Sequence, residues 1–187
     1  MIGIQKPSLK ELMAAGRKKL NANEKTTNKD TKYLIVTMDK WSQIDRDKVT
    51  GGNIAVGTDG CSPCLGLIWI TPLTVMTLHI SPPDSNLHGW ADVDLLKNYI
   101  NSVVECIANP NVDTHPEKVY GFSYNELTKE TAKSALRGLG IPNFEVFLSQ
   151  GKYVHGENLE CVDAKDEAIY GRNDENLPVW GIPGKEK

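Results

Sequence analysis

The stretch VGTDGCSPCLGLIWITPLTVMTLHI, residues 56–80, decides the fold of this chain. It reads as three strands in succession: NIAVGT (53–58), CLGLIWIT (64–71) and VMTLHI (75–80). Gly66, the β-branched Ile68 and Ile70, and Pro72 all oppose a helix after Cys64, because glycine and β-branched residues weaken helices and proline ends them. Alternation in the last strand sets His79 on the face opposite Leu78 and Ile80. Cys61 stands in the turn between the first two strands, and Cys64 opens the second.

Working outward, YLIVTM (33–38) is another strand, and DKWSQIDRDKVTGG (39–52) reads as a polar excursion ending in two glycines. SPPDSNLHGWA (81–91) is a loop, since its prolines cannot serve a strand ladder. The period then changes. Val93, Leu96, Ile100, Val103, Val104 and Ile107 form an apolar stripe at helical spacing, with Asp92 as cap and Asn109-Pro110 as stop. KVYGFSY (118–124) returns to strand, and Thr128 is placed to cap a helix ending at Gly138 and Gly140. NFEVFLS (143–149) and KYVHG (152–156), around Gln150-Gly151, predict a hairpin, and NLECVD (158–163) a further strand.

The expected fold is therefore α+β: a mixed sheet or two-sheet β-sandwich flanked by outer helices. Three segments are expected. Residues 1–32 hold an amphipathic helix (8–20), opened by the capping box Ser8-Leu9-Lys10-Glu11, and a polar linker. Residues 33–170 form the main domain, and 171–187 an extended tail in which Val179 and Trp180 could dock.

The net charge of −3 divides unevenly: residues 1–32 carry +5 and the remainder −8. An acidic main domain predicts no nucleic-acid binding, which needs clustered Lys and Arg against phosphate. No apolar run is long enough to span a bilayer. The first residues lack the unbroken apolar core of a secretory signal, so a cytoplasmic site, or delivery by a specialised secretion system, is expected. The basic N-terminal helix is a solvated charged face or an arm for an acidic partner. Four cysteines in 187 residues are too few for a disulfide scaffold.

Four readings of the Cys61 turn compete. A C-x-P-C redox pair needs a helix after it to activate the first thiol, and a strand follows instead. The segment GIPNFEVFLSQGKYV (140–154) is nevertheless similar to the Gly-Ile-Pro and strand-turn-strand part of thioredoxins. A zinc site would use Cys61, Cys64, His79 and His88, with a histidine spacing longer than usual. Buried core thiols are the plain alternative, and Cys64 is expected to point into the core. The fourth reading is a nucleophile. Gly57 and Gly60 allow close backbone approach, Cys61 ends a strand, and His79 on a nearby strand could hold the thiolate. A buried, hydrogen-bonded core histidine is the competing account of His79. His88, His115 and His155, with Asp84, are lesser candidates. Tyr120, Tyr124 and Tyr153 read as packing residues, and Trp69 and Trp90 carry no functional signal.

Gly60-Cys61 at a strand end, with His79 eighteen residues on in LHISP, resembles the chemoreceptor glutamine deamidases of the CheD type. It also resembles the toxin deamidases, the cytotoxic necrotizing factors and the Burkholderia lethal factor. TDGC (58–61) is similar to the toxins' L-x-G-C motif, with Thr58 in place of Leu. The serial order of helix, VYGFSY, helix, GLGI and VFLSQGKYVHG extends the likeness over about residues 33–160. The resemblance implies a cysteine deamidase of protein glutamine or asparagine side chains, with no metal or organic cofactor. Cys61 would attack the carboxamide, His79 would keep it ionised and protonate the leaving ammonia, and backbone N–H groups would hold the oxyanion. CheD-like enzymes carry a Thr six residues before the Cys, where this chain has Ala55. The acceptor that orients His79 must then be a carbonyl near Ala55–Val56, or Asn53 or Thr58. A non-catalytic binding module on the same scaffold is the alternative.

Overall fold

The computed structural model describes residues 32–52, 54–83, 88–107, 115–148, 151–155, 160–163, 177 and 179–182. The expected N-terminal helix and linker lie outside them. Lys32–Lys187 form one compact unit. Its strands are β1 (Lys32–Val36), β2 (Lys40–Asp45), β3 (Ile54–Asp59), β4 (Leu65–Ile70), β5 (Thr74–Ile80), β6 (Lys118–Ser123), β7 (Phe144–Leu148), β8 (Gly151–His155), β9 (Glu160–Asp163) and β10 (Trp180–Gly181). The helices are α1 (Arg46–Thr50), α2 (Val93–Ile107) and α3 (Glu126–Gly138). The protein is α+β, and among the described residues no helix is long and apolar enough to cross a membrane.

The strands form two mixed sheets, one ordered β1-β3-β8-β9 and the other β10-β2-β5-β4-β6-β7. Strand alternation divides the core. On one face of the larger sheet, Leu65, Leu67, Trp69, Met76, Leu78 and Ile80 pack against Leu96, Ile100, Val103 and Val104 of α2 and Ala132, Ala135 and Leu136 of α3. On its other face, Ile44, Ile68, Ile70, Val75, Tyr120 and Phe122 meet Leu34, Ile54 and Val56 of the smaller sheet. Every residue of β4 and β5 is buried, as central strands covered on both faces must be.

The helices end as their sequences dictate. Asp92 caps α2 by accepting the Leu95 N–H at 2.9 Å. Helix α3 closes in a Schellman turn. Gly140 takes a positive φ of 73°, its N–H donates to the Arg137 carbonyl, and the Ile141 N–H donates to that of Leu136.

Three expectations change, and the docking allowed for Trp180 is seen. The polar excursion 39–52 contains β2 and α1. Its composition hides the strand because β2 buries Ser42 beside Ile44 on the inter-sheet face, rather than presenting an apolar one. Segments 143–149 and 152–156 are not a hairpin. β7 pairs with β6 in parallel after the α3 crossover, and β8 joins the other sheet beside β3. The cap of α3 is Asn125, whose side chain accepts the Thr128 N–H. Residues 180 and 181 of the expected tail pair with β2, with the Trp180 and Trp41 rings 4.6 Å apart and Ile182 fully buried.

Candidate active site

Strands β3 and β5 belong to different sheets, and their facing sides bring three predicted residues together. Thr58 sits on the same side of β3 as Val56, in the inter-sheet core, and its Oγ1 lies 2.7 Å from Nδ1 of His79 on β5. The Cys61 Sγ is 3.8 Å from the same nitrogen and 3.9 Å from the threonine hydroxyl. The three side chains make a closed triangle in the dry layer between the sheets, where Thr58 and Cys61 are 0% exposed and His79 2%. Hydrogen bonds in such a layer are held firmly, because competing water is excluded.

Two protonation states fit this geometry. With imidazole neutral and its proton on Nε2, the Thr58 O–H donates to Nδ1. With imidazole protonated, the Nδ1–H donates to Thr58 Oγ1 with the sulfur alongside, poised for a thiolate–imidazolium pair. Of the orienting groups considered for His79, Thr58 is the one whose side chain is bonded to its Nδ1. The main chain at Ala55 and Val56 lies in ladders, Ala55 opposite Tyr33 and Val56 between Leu34 and Val154. Asn53 lies outside the described residues.

Room for the triangle comes from Gly66. It stands opposite His79 on β4, and a Cβ there would fall 2.7 Å from the Thr58 methyl and closer still to the Phe122 ring. The strand end bearing His79 is fixed by Asp39. Its N–H donates to the His79 carbonyl at 2.8 Å, and its carboxylate accepts the Ser81 N–H at 3.0 Å and O–H at 2.7 Å.

The cysteine turn is anchored from the other side. Gly60 has a φ of +63°, open to glycine and strained for other residues. The Ser62 N–H closes onto the Gly60 carbonyl at 2.7 Å, which commits that donor within the turn. The Cys61 carbonyl accepts the Tyr124 N–H at 2.9 Å and the Ser123 O–H at 3.1 Å. The Thr128 O–H donates to the Pro63 carbonyl at 3.0 Å while its oxygen accepts the Trp90 N–H. Asn125 donates to the His88 carbonyl. The start of α3 therefore ties the cysteine turn to the 88–90 loop. Sequence reasoning missed Ser123 and Asn125. The spacing Asn125-x-x-Thr128, a cap followed by a buried hydroxyl, was the available signal for Asn125, and Ser123 had none.

The remaining candidates are not drawn in. No disulfide joins Cys61 to Cys64, and Cys64 leads directly into β4, so the helix a redox pair requires is replaced by a strand. Cys64 is buried in the inter-sheet core. Among the described residues no group of three or more His, Cys, Asp or Glu is arranged to hold a metal ion. His88 and His115 are exposed. His155 stands on β8 opposite Glu160, and Asp84 lies outside the described residues. Tyr120 packs between the sheets, Tyr124 is exposed at the end of β6, and Tyr153 stands opposite Gly57. Trp69 and Trp90 belong to the helix-side core.

No family model matches the chain, and no curated protein sequence matches it.

Proposed function

We propose that this chain is a cysteine-dependent deamidase acting on glutamine or asparagine side chains of a protein substrate, of the CheD-like and necrotizing-factor kind. One observation carries the reading: the Cys61 sulfur and the Thr58 hydroxyl converge on a single nitrogen of His79. A nucleophile, a base and a group that orients the base are the parts such chemistry needs. The order α2, β6, α3 after the histidine strand adds support.

In this mechanism the proton of Cys61 passes to His79 Nδ1. The thiolate adds to the carboxamide carbon and forms a tetrahedral oxyanion. The C–N bond then breaks, with the Nδ1 proton going to the leaving nitrogen, and ammonia departs from a thioester. Water adds to that carbonyl as Nδ1 takes its proton. The C–S bond breaks, the sulfur leaves as thiolate, and the product is glutamate or aspartate. Thr58 keeps the ring in place through both halves.

The test is peptide mapping of a cell extract incubated with the protein. Conversion of particular glutamines or asparagines to the acids, a gain of about one dalton, that is absent with Cys61→Ser supports the assignment. No Cys61-dependent conversion counts against it. The complete burial of Cys61 favours a second reading, a non-catalytic binding module in which the triangle is a structural knot. On that reading Cys61→Ser retains the protein's cellular effect.

A further inference from the structure

We propose that the junction of β6 and α3 is a latch over Cys61, in which Ser123 is the positioning residue that keeps the sulfur out of solvent. The chain runs along the surface through Gly60 and Ser62, both exposed, while Cys61 between them is 0% exposed. No substrate side chain can reach Cys61 until the turn moves.

What resists that movement is specific. The Ser123 hydroxyl is fully buried and bonded on both sides: it donates to the Cys61 carbonyl at 3.1 Å and accepts the Asn125 N–H at 3.1 Å. The Tyr124 N–H holds the same carbonyl, and the Thr128 hydroxyl holds that of Pro63. These bonds join the exposed turn to the last residue of β6, the residue after it and the first turn of α3. Opening the turn withdraws Cys61 from the inter-sheet cluster and leaves the helix-side cluster in place, the condition for local rather than global opening. Gly60 is the natural pivot. Its φ of +63° sits in open space, with nothing within 4 Å of where a Cβ would stand. A protein substrate that takes over the bonds to the Cys61 and Pro63 carbonyls would open the site as it binds.

The importance of the latch rests on the deamidase reading, but its existence is measured without it. The experiment is iodoacetamide labelling of the full-length protein, with each thiol followed by mass spectrometry and exposed Cys106 as reference. Wild-type Cys61 labels far more slowly than Cys106, at a rate insensitive to low urea, as local opening requires. Ser123→Ala raises the Cys61 rate about fivefold, the weight of one hydroxyl–carbonyl bond, without altering the shape of its pH profile. Thr128→Val acts in the same direction. Ser134→Ala, which removes a hydroxyl further along α3, leaves the rate unchanged. The latch is overturned if wild-type Cys61 labels as fast as Cys106, if Ser123→Ala changes nothing, or if labelling follows urea throughout as global unfolding does. The deamidase reading fails separately, through an absence of Cys61-dependent conversion in the extract.

Discussion

Strand β5 has two faces built from the same seven residues, and they follow different rules. Toward the helices it presents Met76, Leu78 and Ile80, each at most 2% exposed and surrounded by apolar side chains. Toward the other sheet it presents Val75, Thr77 and His79, equally buried, with His79 bonded to Thr58 and beside Cys61. The helix face is held by area removed from water, which is non-directional and forgiving of shape. The inter-sheet face is held partly by directed bonds. Where two buried polar atoms there are bonded, as Thr58 and His79 are, losing one leaves the other unsatisfied. The first face is stabilised by burial alone, and the second combines burial with bonded polar groups.

That contrast can be broken from either side. Leu78→Ala leaves a cavity under α2 and α3 and is expected to lower unfolding free energy by about 2–5 kcal/mol. Urea unfolding measures this. The pH profile of Cys61 labelling should stay as in wild type, and an altered profile would show that the two faces are coupled.

Gly66→Ala attacks the inter-sheet face by crowding. Its Cβ meets the Phe122 ring and the Thr58 methyl, so a cost of about 1–3 kcal/mol is expected. The displaced Thr58 should also change the pH response of Cys61. A neutral substitution would mean that the glycine is not what makes room for the triangle.

Thr58→Val keeps the shape and removes the hydroxyl that bonds His79. About 1 kcal/mol is expected, together with a changed pH profile at Cys61. A lost profile with little lost stability is the signature of a positioning hydroxyl. The reverse pattern would assign Thr58 to packing.

The smallest effect belongs to the helix face and appears only at high pH. Burial, and then the charge of Asp39, push the Tyr99 phenol up to about 12. In the unfolded chain it ionises near 10. Between these values the unfolded chain holds fewer protons than the folded one, so stability falls as pH rises through the window. Tyr99→Phe should flatten that fall in urea titrations between about pH 10 and 12. An identical slope would place the alkaline sensitivity elsewhere.

The same contrast explains what could be read from the residues alone. The helix face was legible, because Leu96, Ile100 and Val103 repeat at helical spacing and CLGLIWIT and VMTLHI allow only strands. Strand β2 was not, because Ser42 and Gln43 carry no apolar alternation and the segment is a strand only through its pairing with β5. The false hairpin at 143–156 shows the limit of turn signals. Gln150-Gly151 looks like a tight turn, but which sheet each flanking segment joins is decided by the α3 crossover, at long range. In the candidate site, the nearness of Cys61 and His79 was expected from the family resemblance, while spacing alone left a core histidine as the competing account. Thr58 was one option among several until the β3 ladder was seen to engage the main chain at Ala55 and Val56. Ser123 carried no local signal, since its role depends on a turn 62 residues away.

The central claim is that His79 makes Cys61 a nucleophile. It is tested most directly by iodoacetamide labelling at pH 6 of wild type and His79→Gln, which keeps a polar group against Thr58. The account predicts that wild-type Cys61 is labelled in preference to Cys64, and that this preference disappears in the variant while urea unfolding remains cooperative. Equal Cys61 labelling in both proteins, or uniformly slow labelling of Cys61 and Cys64 in wild type, would contradict it.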